Sequence, residues 1–217
     1  MIEHMNKVTQ YLTAHLPERE NWMIVLEQYA KKHQIPIMEP VSMNVLTQLV
    51  RMYKPKSILE IGSAIGYSAL RMHATNPTAK IVTIEKNQNM VQLARQNIKL
   101  RRKENHIQVL FGDAIDQIEM LVNNKAKFDF VFIDAAKGQY KRFFQAVQPL
   151  LSKDSVIVCD NVLFKGYVAN NNRTNHLRYE KLSEKIRAFN TWLMKQEAFH
   201  SSIVPIGDGI SISIKMK

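Results

Sequence analysis

The chain has 217 residues, 46% hydrophobic and 23% charged, with 7 Gly, 7 Pro and one Cys. This composition fits one α/β domain over residues 1–217 and excludes disorder, repeat arrays, a disulfide framework and a cysteine-built zinc site. The formal charge is +11, a surplus that draws polyanions such as RNA, DNA or a phosphate-rich cofactor.

The start, "MIEHMNKVTQYL", lacks the cationic and apolar blocks of a signal peptide. No later apolar stretch nears the ~20 residues of a bilayer span. A cytoplasmic protein with no membrane partner is expected, and the lone Cys159 reads as a buried small hydrophobe. Residues 1–37 form a helical extension, in which Met23, Leu26 and Ala30 recur at helical spacing. Pro17 is expected to open a helix at its first turn. These leading helices suit a homodimer contact. Residues 41–53 read as a further helix, closed by Pro55.

A rhythm follows. Short apolar runs at 57–62, 80–85, 107–114, 128–135 and 155–161 alternate with helical patterns. Alternation of this kind predicts a mostly parallel sheet with helices on both faces. Two last strands, "SSIVPI" and "ISISIKM", flank Gly207-Asp208-Gly209, whose positive φ angles allow a tight reversal. The expected fold is therefore α/β, with seven strands and a C-terminal antiparallel hairpin.

Open parallel sheets bind ligands at the carboxyl ends of their strands. A glycine or an acid follows every parallel strand here: Gly62 and Gly66, then Glu85, Asp113, Asp134, and the pair Asp160-Asn161. The G-x-x-x-G loop differs from the pyrophosphate pattern G-x-G-x-x-G, with a tight turn without a ligand as the alternative reading. Glu85 can accept both hydroxyls of a ribose, and Asp113-Ala114 falls where an adenine edge would lie. Each acid alone also fits a helix N-cap or a turn. Asp134, Asp160 and Asn161 offer oxygen donors only, a set suited to Mg²⁺ or another hard divalent cation. Lys137 follows Asp134 by three residues and would take or orient the proton of a bound hydroxyl; as a bland alternative it is one more surface lysine.

Together, "ILEIGSAIGYSAL", "IVTIEKN", "GDA", "FDFVFIDAAKGQY", "VIVCDNVLFKG" and "PIGDGISISI" resemble the cation-dependent class I O-methyltransferases, which include catechol and caffeoyl-CoA O-methyltransferases. By length and leading helices the chain is most similar to the bacterial branch acting as tRNA 5-hydroxyuridine methyltransferase. The resemblance implies a Rossmann-like methyltransferase domain using S-adenosylmethionine. It implies metal ligation by Asp134, Asp160 and Asn161, and catalysis by Lys137 with Asp134. Cofactor contacts are implied for Met38, Glu60, Gly62, Ser68, Glu85, Asp113, Ala114 and Asp134. The tryptophan that precedes the lysine in catechol enzymes is Ala136 here, which removes an aromatic wall for a small catechol. The loop "FKGYVANNNRTNHLR" is basic and asparagine-rich. In it, Phe164, Tyr167, Lys165 and Arg173 are candidates for stacking and phosphate contact with a tRNA anticodon loop. Lys99, Arg101 and Arg102 are candidates on charge, although cations at a helix end also complement its dipole. Two other readings remain: methylation of a small catechol or phenolic ester, and a non-catalytic RNA-binding protein that kept the fold.

Overall fold

β-branched and aromatic residues at alternate positions build a sheet that is apolar on both faces. The computed structural model describes residues 2–169 and 177–216. The parallel strands are β1 Ser57–Ile61, β2 Lys80–Glu85, β3 Ile107–Phe111, β4 Phe128–Ile133 and β5 Leu151–Cys159, followed by β6 Phe199–Val204 and β7 Ile210–Lys215. Their order is β3-β2-β1-β4-β5-β7-β6, with β7 antiparallel to both β5 and β6. Strand order reverses between β1 and β4, so a crevice opens beyond their carboxyl ends.

The helices are α1 Ile2–Ala14, α2 Asn21–Lys32, α3 Pro40–Tyr53, α4 Tyr67–Thr75, α5 Gln88–Leu100, α6 Ala114–Asn123, α7 Tyr140–Val147 and α8 Leu177–Leu193. Side-chain parity divides them between two cores. Ile58, Phe130, Phe132, Val156 and Val158 face the layer of α2 to α5. Leu59, Ile61, Val131, Ile133, Ile157 and Cys159 face the layer of α6 to α8. Each fully buried side chain of this size contributes about 1.5–3 kcal/mol, and Phe130 and Phe132 have no exposed surface.

Several local boundaries differ from expectation. The second helix begins at Asn21, not at Pro17, because Glu20 takes the N-cap: its carbonyl accepts the Met23 and Ile24 amides, and its side chain accepts the Trp22 indole N–H. Strand β6 stops at Val204, because Pro205 has no N–H for the ladder. The reversal is therefore the five-residue loop 205–209, with Gly207 at φ 56° and Gly209 at φ 87°. Among the described residues no helix is long and apolar enough to cross a membrane.

Candidate active site

The crevice at the strand-order reversal holds a cavity of about 590 Å³, within the size range of small-molecule sites. Gly62 makes its closest approach possible. Its φ is 102°, and a Cβ there would lie 1.9 Å from the carbonyl oxygen of Asp134. Only glycine lets the end of β1 press against the end of β4.

On one side of the cavity lie the acids of β2 and β3. Glu85 Oε2 accepts the amide of Ala64 at 3.0 Å, and Oε1 accepts the amide of Asn87 at 2.8 Å. The carboxylate thereby ties the glycine loop to the start of α5, and each oxygen keeps a lone pair for a ligand hydroxyl. Asp113 caps α6, accepting the Ile115 amide at 2.9 Å through Oδ1. Met38, Ser68 and Ala114 line the same space.

On the other side are Asp134, Asp160, Asn161 and Lys137. Asn161 adopts a left-handed backbone, φ 56°, which asparagine tolerates better than most residues. Its Oδ1 accepts a hydrogen bond from Lys137 Nζ. Tyr140 donates its hydroxyl to the Asp160 carbonyl at 2.7 Å, fixing the end of β5. The carboxylates themselves are in an unfavourable place. Asp160 is 2% exposed, and its Oδ1 is buried with no hydrogen-bond partner. Burial first, and the charge of Asp134 second, push the Asp160 carboxyl up to about 8. Burial also raises Asp134, against the pull of Lys137. Two adjacent buried acids with an orphaned oxygen and an amide oxygen beside them form a donor set that fits a hard divalent cation.

Glu60 lies elsewhere. It shares strand parity with Ile58, so it points beneath the glycine loop toward α4 and does not line the cavity. It has no exposed surface, and its oxygens accept the hydroxyls of Ser68 and Thr83. Burial raises its carboxyl to about 7. Its place is that of a support for Ser68, one layer below the cofactor contact expected of it.

The aromatic candidates are partly assembled. Phe164 lines the cavity and packs against Tyr167, with ring centroids 5.6 Å apart. The short helical turn Phe164–Gly166 contains Lys165; Arg173 falls outside the described residues. Arg101 is committed to packing: its guanidinium lies 4.7 Å over the Trp22 ring and donates to the Asn97 carbonyl. Lys99, Arg101 and Arg102 sit where α5 returns to the amino end of β3, the end of the sheet away from the cavity.

Tyr67 and Asp208 are among the cavity residues that carried no recognisable signal. Tyr67 begins α4 and looks like ordinary core. Asp208 reads as a turn residue, yet the β6–β7 loop falls beside the end of β5 and brings it into the lining. The carbonyl of Asp208 accepts the amides of Leu163 and Phe164 at 2.8 and 3.1 Å.

Comparison with known proteins agrees with this architecture. The sequence profile of the O-methyltransferase family matches residues 14–216. A catechol O-methyltransferase from Niastella koreensis is 32% identical over 176 residues, covering 78% of this chain and 77% of that protein. A caffeoyl-CoA O-methyltransferase from Medicago sativa is 26% identical, covering 96% and 88% respectively. The structure of an O-methyltransferase from Bacillus cereus in complex with SAH superposes with a TM-score of 0.84, at 26% identity and full coverage of both chains.

Proposed function

We propose that this chain, which belongs to the O-methyltransferase family, transfers a methyl group from S-adenosylmethionine to the 5-hydroxyl of 5-hydroxyuridine at the tRNA wobble position, giving 5-methoxyuridine. The observation that carries the methyl-transfer reading is a single cavity joining ribose-type acceptors to a buried oxygen donor set. Glu85 and Asp113 would hold the adenosine. Gly62 leaves room for the sulfonium end beside Asp134, and Met38, Ser68 and Ala114 close around the cofactor.

Asp134, Asp160 and Asn161 would hold Mg²⁺ or another hard divalent cation. When bound, that ion supplies the charge that draws two neighbouring substrate oxygens and favours the ionised hydroxyl. Catechol has such a pair, and so does 5-hydroxyuridine, with O5 beside O4. Lys137 holds or receives the proton that the hydroxyl loses as its oxygen bonds to the methyl carbon and the carbon–sulfur bond breaks. Orientation of the methyl toward the oxygen supplies much of the rate.

Two features favour RNA over a small phenol. Ala136 leaves no aromatic wall beside Lys137, and residues 163–187 carry six Lys/Arg against Glu180 and Glu184. The wobble base would leave its stack to enter the cavity. A small catechol or phenolic ester is the second reading, favoured by the similarity to the Niastella koreensis enzyme. A non-catalytic RNA binder is disfavoured, because the metal donors and Lys137 all line one cavity. The leading helices, which expose Val8, Tyr11 and Val25, would serve a homodimer.

The test is competition for labelled methyl groups between an anticodon-arm RNA carrying 5-hydroxyuridine and free catechol. A kcat/KM at least 100-fold higher for the RNA is expected. Preference for catechol would replace the tRNA reading with the small-phenol one.

A further inference from the structure

Helix α8 divides its exposed surface by charge. At 100° per residue, Arg178, Lys181 and Lys185 fall within about 60° of one another, while Glu180 and Glu184 are centred about 110° round the helix from the middle of that stripe, Glu184 being about 60° from Lys181. All three cations are exposed. Among the described residues none of the three is ion-paired in the way that Arg19 and Arg71 are with Glu27. A neighbouring cation behaves differently: Lys141 is turned onto the Trp192 ring, 5.2 Å from its centroid.

The stripe ends beside the catalytic opening. Gly138, the residue after Lys137, packs against the side chain of Lys185: a Cβ on Gly138 would lie 3.5 Å from Lys185 Cδ and 3.9 Å from its Nζ. Gly138 is flanked by Lys137 and Gln139, which line the cavity, so the lysine ammonium lies next to the lining segment without being part of it. Lys181 and Arg178 continue outward along the first turns of α8, which starts on the carboxyl side of the sheet. Seven residues of helix span about 10 Å, the rise of about three nucleotides in one strand.

We propose that this stripe is the track for the phosphate backbone flanking the methylated nucleotide. The inference rests on the tRNA reading and adds where the RNA lies. A base turned into the cavity leaves its own phosphates at the mouth, and the strand must leave past the rim. Arg178, Lys181 and Lys185 offer it unpaired cations in line, next to the lysine at the reacting oxygen. The basic end of α5, although richer in charge, lies at the opposite end of the sheet and cannot serve a strand whose base is in the cavity.

The triple variant Arg178→Ala/Lys181→Ala/Lys185→Ala tests this with an anticodon-arm RNA carrying 5-hydroxyuridine. Loss of three single-strand phosphate contacts should flatten the slope of log affinity against log salt by about 2, with KM for RNA up about tenfold and kcat little changed. Affinity for S-adenosylmethionine stays at the wild-type value if the fold is intact, and Lys181→Arg/Lys185→Arg should keep wild-type RNA affinity. A wild-type enzyme that methylates the RNA while the triple variant shows the same slope and KM would overturn the track alone. Failure of the wild-type protein to bind or methylate the RNA would remove the tRNA reading and the track with it. If anionic phospholipid vesicles bind with the same dependence on these three residues and RNA does not, the surface belongs to a membrane partner and the proposal fails.

Discussion

Asp160 concentrates the chemistry of the site in one carboxyl. Its buried, unpartnered Oδ1 and its upward shift to about 8 describe a carboxyl that burial holds protonated at neutral pH, and a bound cation would supply the counter-charge that its ionised form needs. Asp160→Ala should lower methyl transfer by about 100-fold or more, since ion-based charge stabilisation is worth several kcal/mol. Affinity for S-adenosylmethionine should persist, because Glu85 and Asp113 lie on other strands. A chelator-treated Asp160→Ala protein with full activity would remove the metal role. Glu60 makes a different prediction. Its folded-state value of about 7 lies above the 4.5 of an ordinary glutamate. The folded protein therefore binds this proton more tightly than the unfolded chain does. Below about pH 4.5 the group costs nothing; the cost grows as pH rises and is complete above about 7, reaching about 3 kcal/mol. Glu60→Gln should flatten the fall in stability between pH 5 and pH 8, read by urea unfolding at each pH. An unchanged pH dependence would show that Glu60 does not titrate in this range.

At the level of elements, the strands and their terminal acids were legible because apolar runs and glycine punctuation are local signals. Asp134 and Asp160-Asn161 could be paired from their shared oxygen-donor chemistry at strand ends and from the family resemblance, but the adjacency of β4 and β5 needed the strand order, because the equally consecutive β3 and β4 are not neighbours. Three more things were not legible. Glu60 and Ile61 are adjacent in sequence, and which of them meets the cavity depends on strand parity, set by the packing of α4. Asp208 enters through an antiparallel loop, whose position needs the β5–β7 pairing. Helix α2 starts at Asn21 because Glu20, not Pro17, satisfies the first amides. The joint between β1 and β4 is the element-scale constraint most open to test. Gly62→Ala would place a Cβ against the Asp134 carbonyl at a backbone angle that alanine resists. It should cost at least about 2 kcal/mol of stability from strain and overpacking. It should also weaken S-adenosylmethionine binding more than that loss of stability alone would explain. Wild-type cofactor affinity in this variant would mean that the β1 end can shift without disturbing the cavity.

Across the whole molecule, the leading helices are coupled to the catalytic crevice through one polar network. Tyr67, which lines the cavity, donates its hydroxyl to Glu27 Oε1 at 2.5 Å, and Arg71 donates to the Tyr67 oxygen at 2.7 Å. Arg71 and Arg19 lie 3.8 and 3.7 Å from the same carboxylate. Arg71 is only 8% exposed, and Glu27 is the acid that faces its guanidinium. The carboxylate belongs to α2, while the tyrosine and Arg71 belong to α4, the helix that follows the glycine loop. Packing supports the join: Met23, Leu26 and Ala30 of α2 enter the same core as Tyr67 and Leu70. Glu27→Ala should therefore strand Arg71 without its partner and cost about 3 kcal/mol, as for other largely buried pairs broken on one side. It should also raise the Kd for S-adenosylmethionine several-fold, since Tyr67 loses the acceptor that fixes its ring. Glu27→Gln, which keeps an acceptor for Tyr67 but no charge for Arg71, separates the two effects: cofactor affinity should recover while most of the stability loss remains. If the alanine variant loses stability and keeps wild-type affinity, α2 covers the core without shaping the cofactor site.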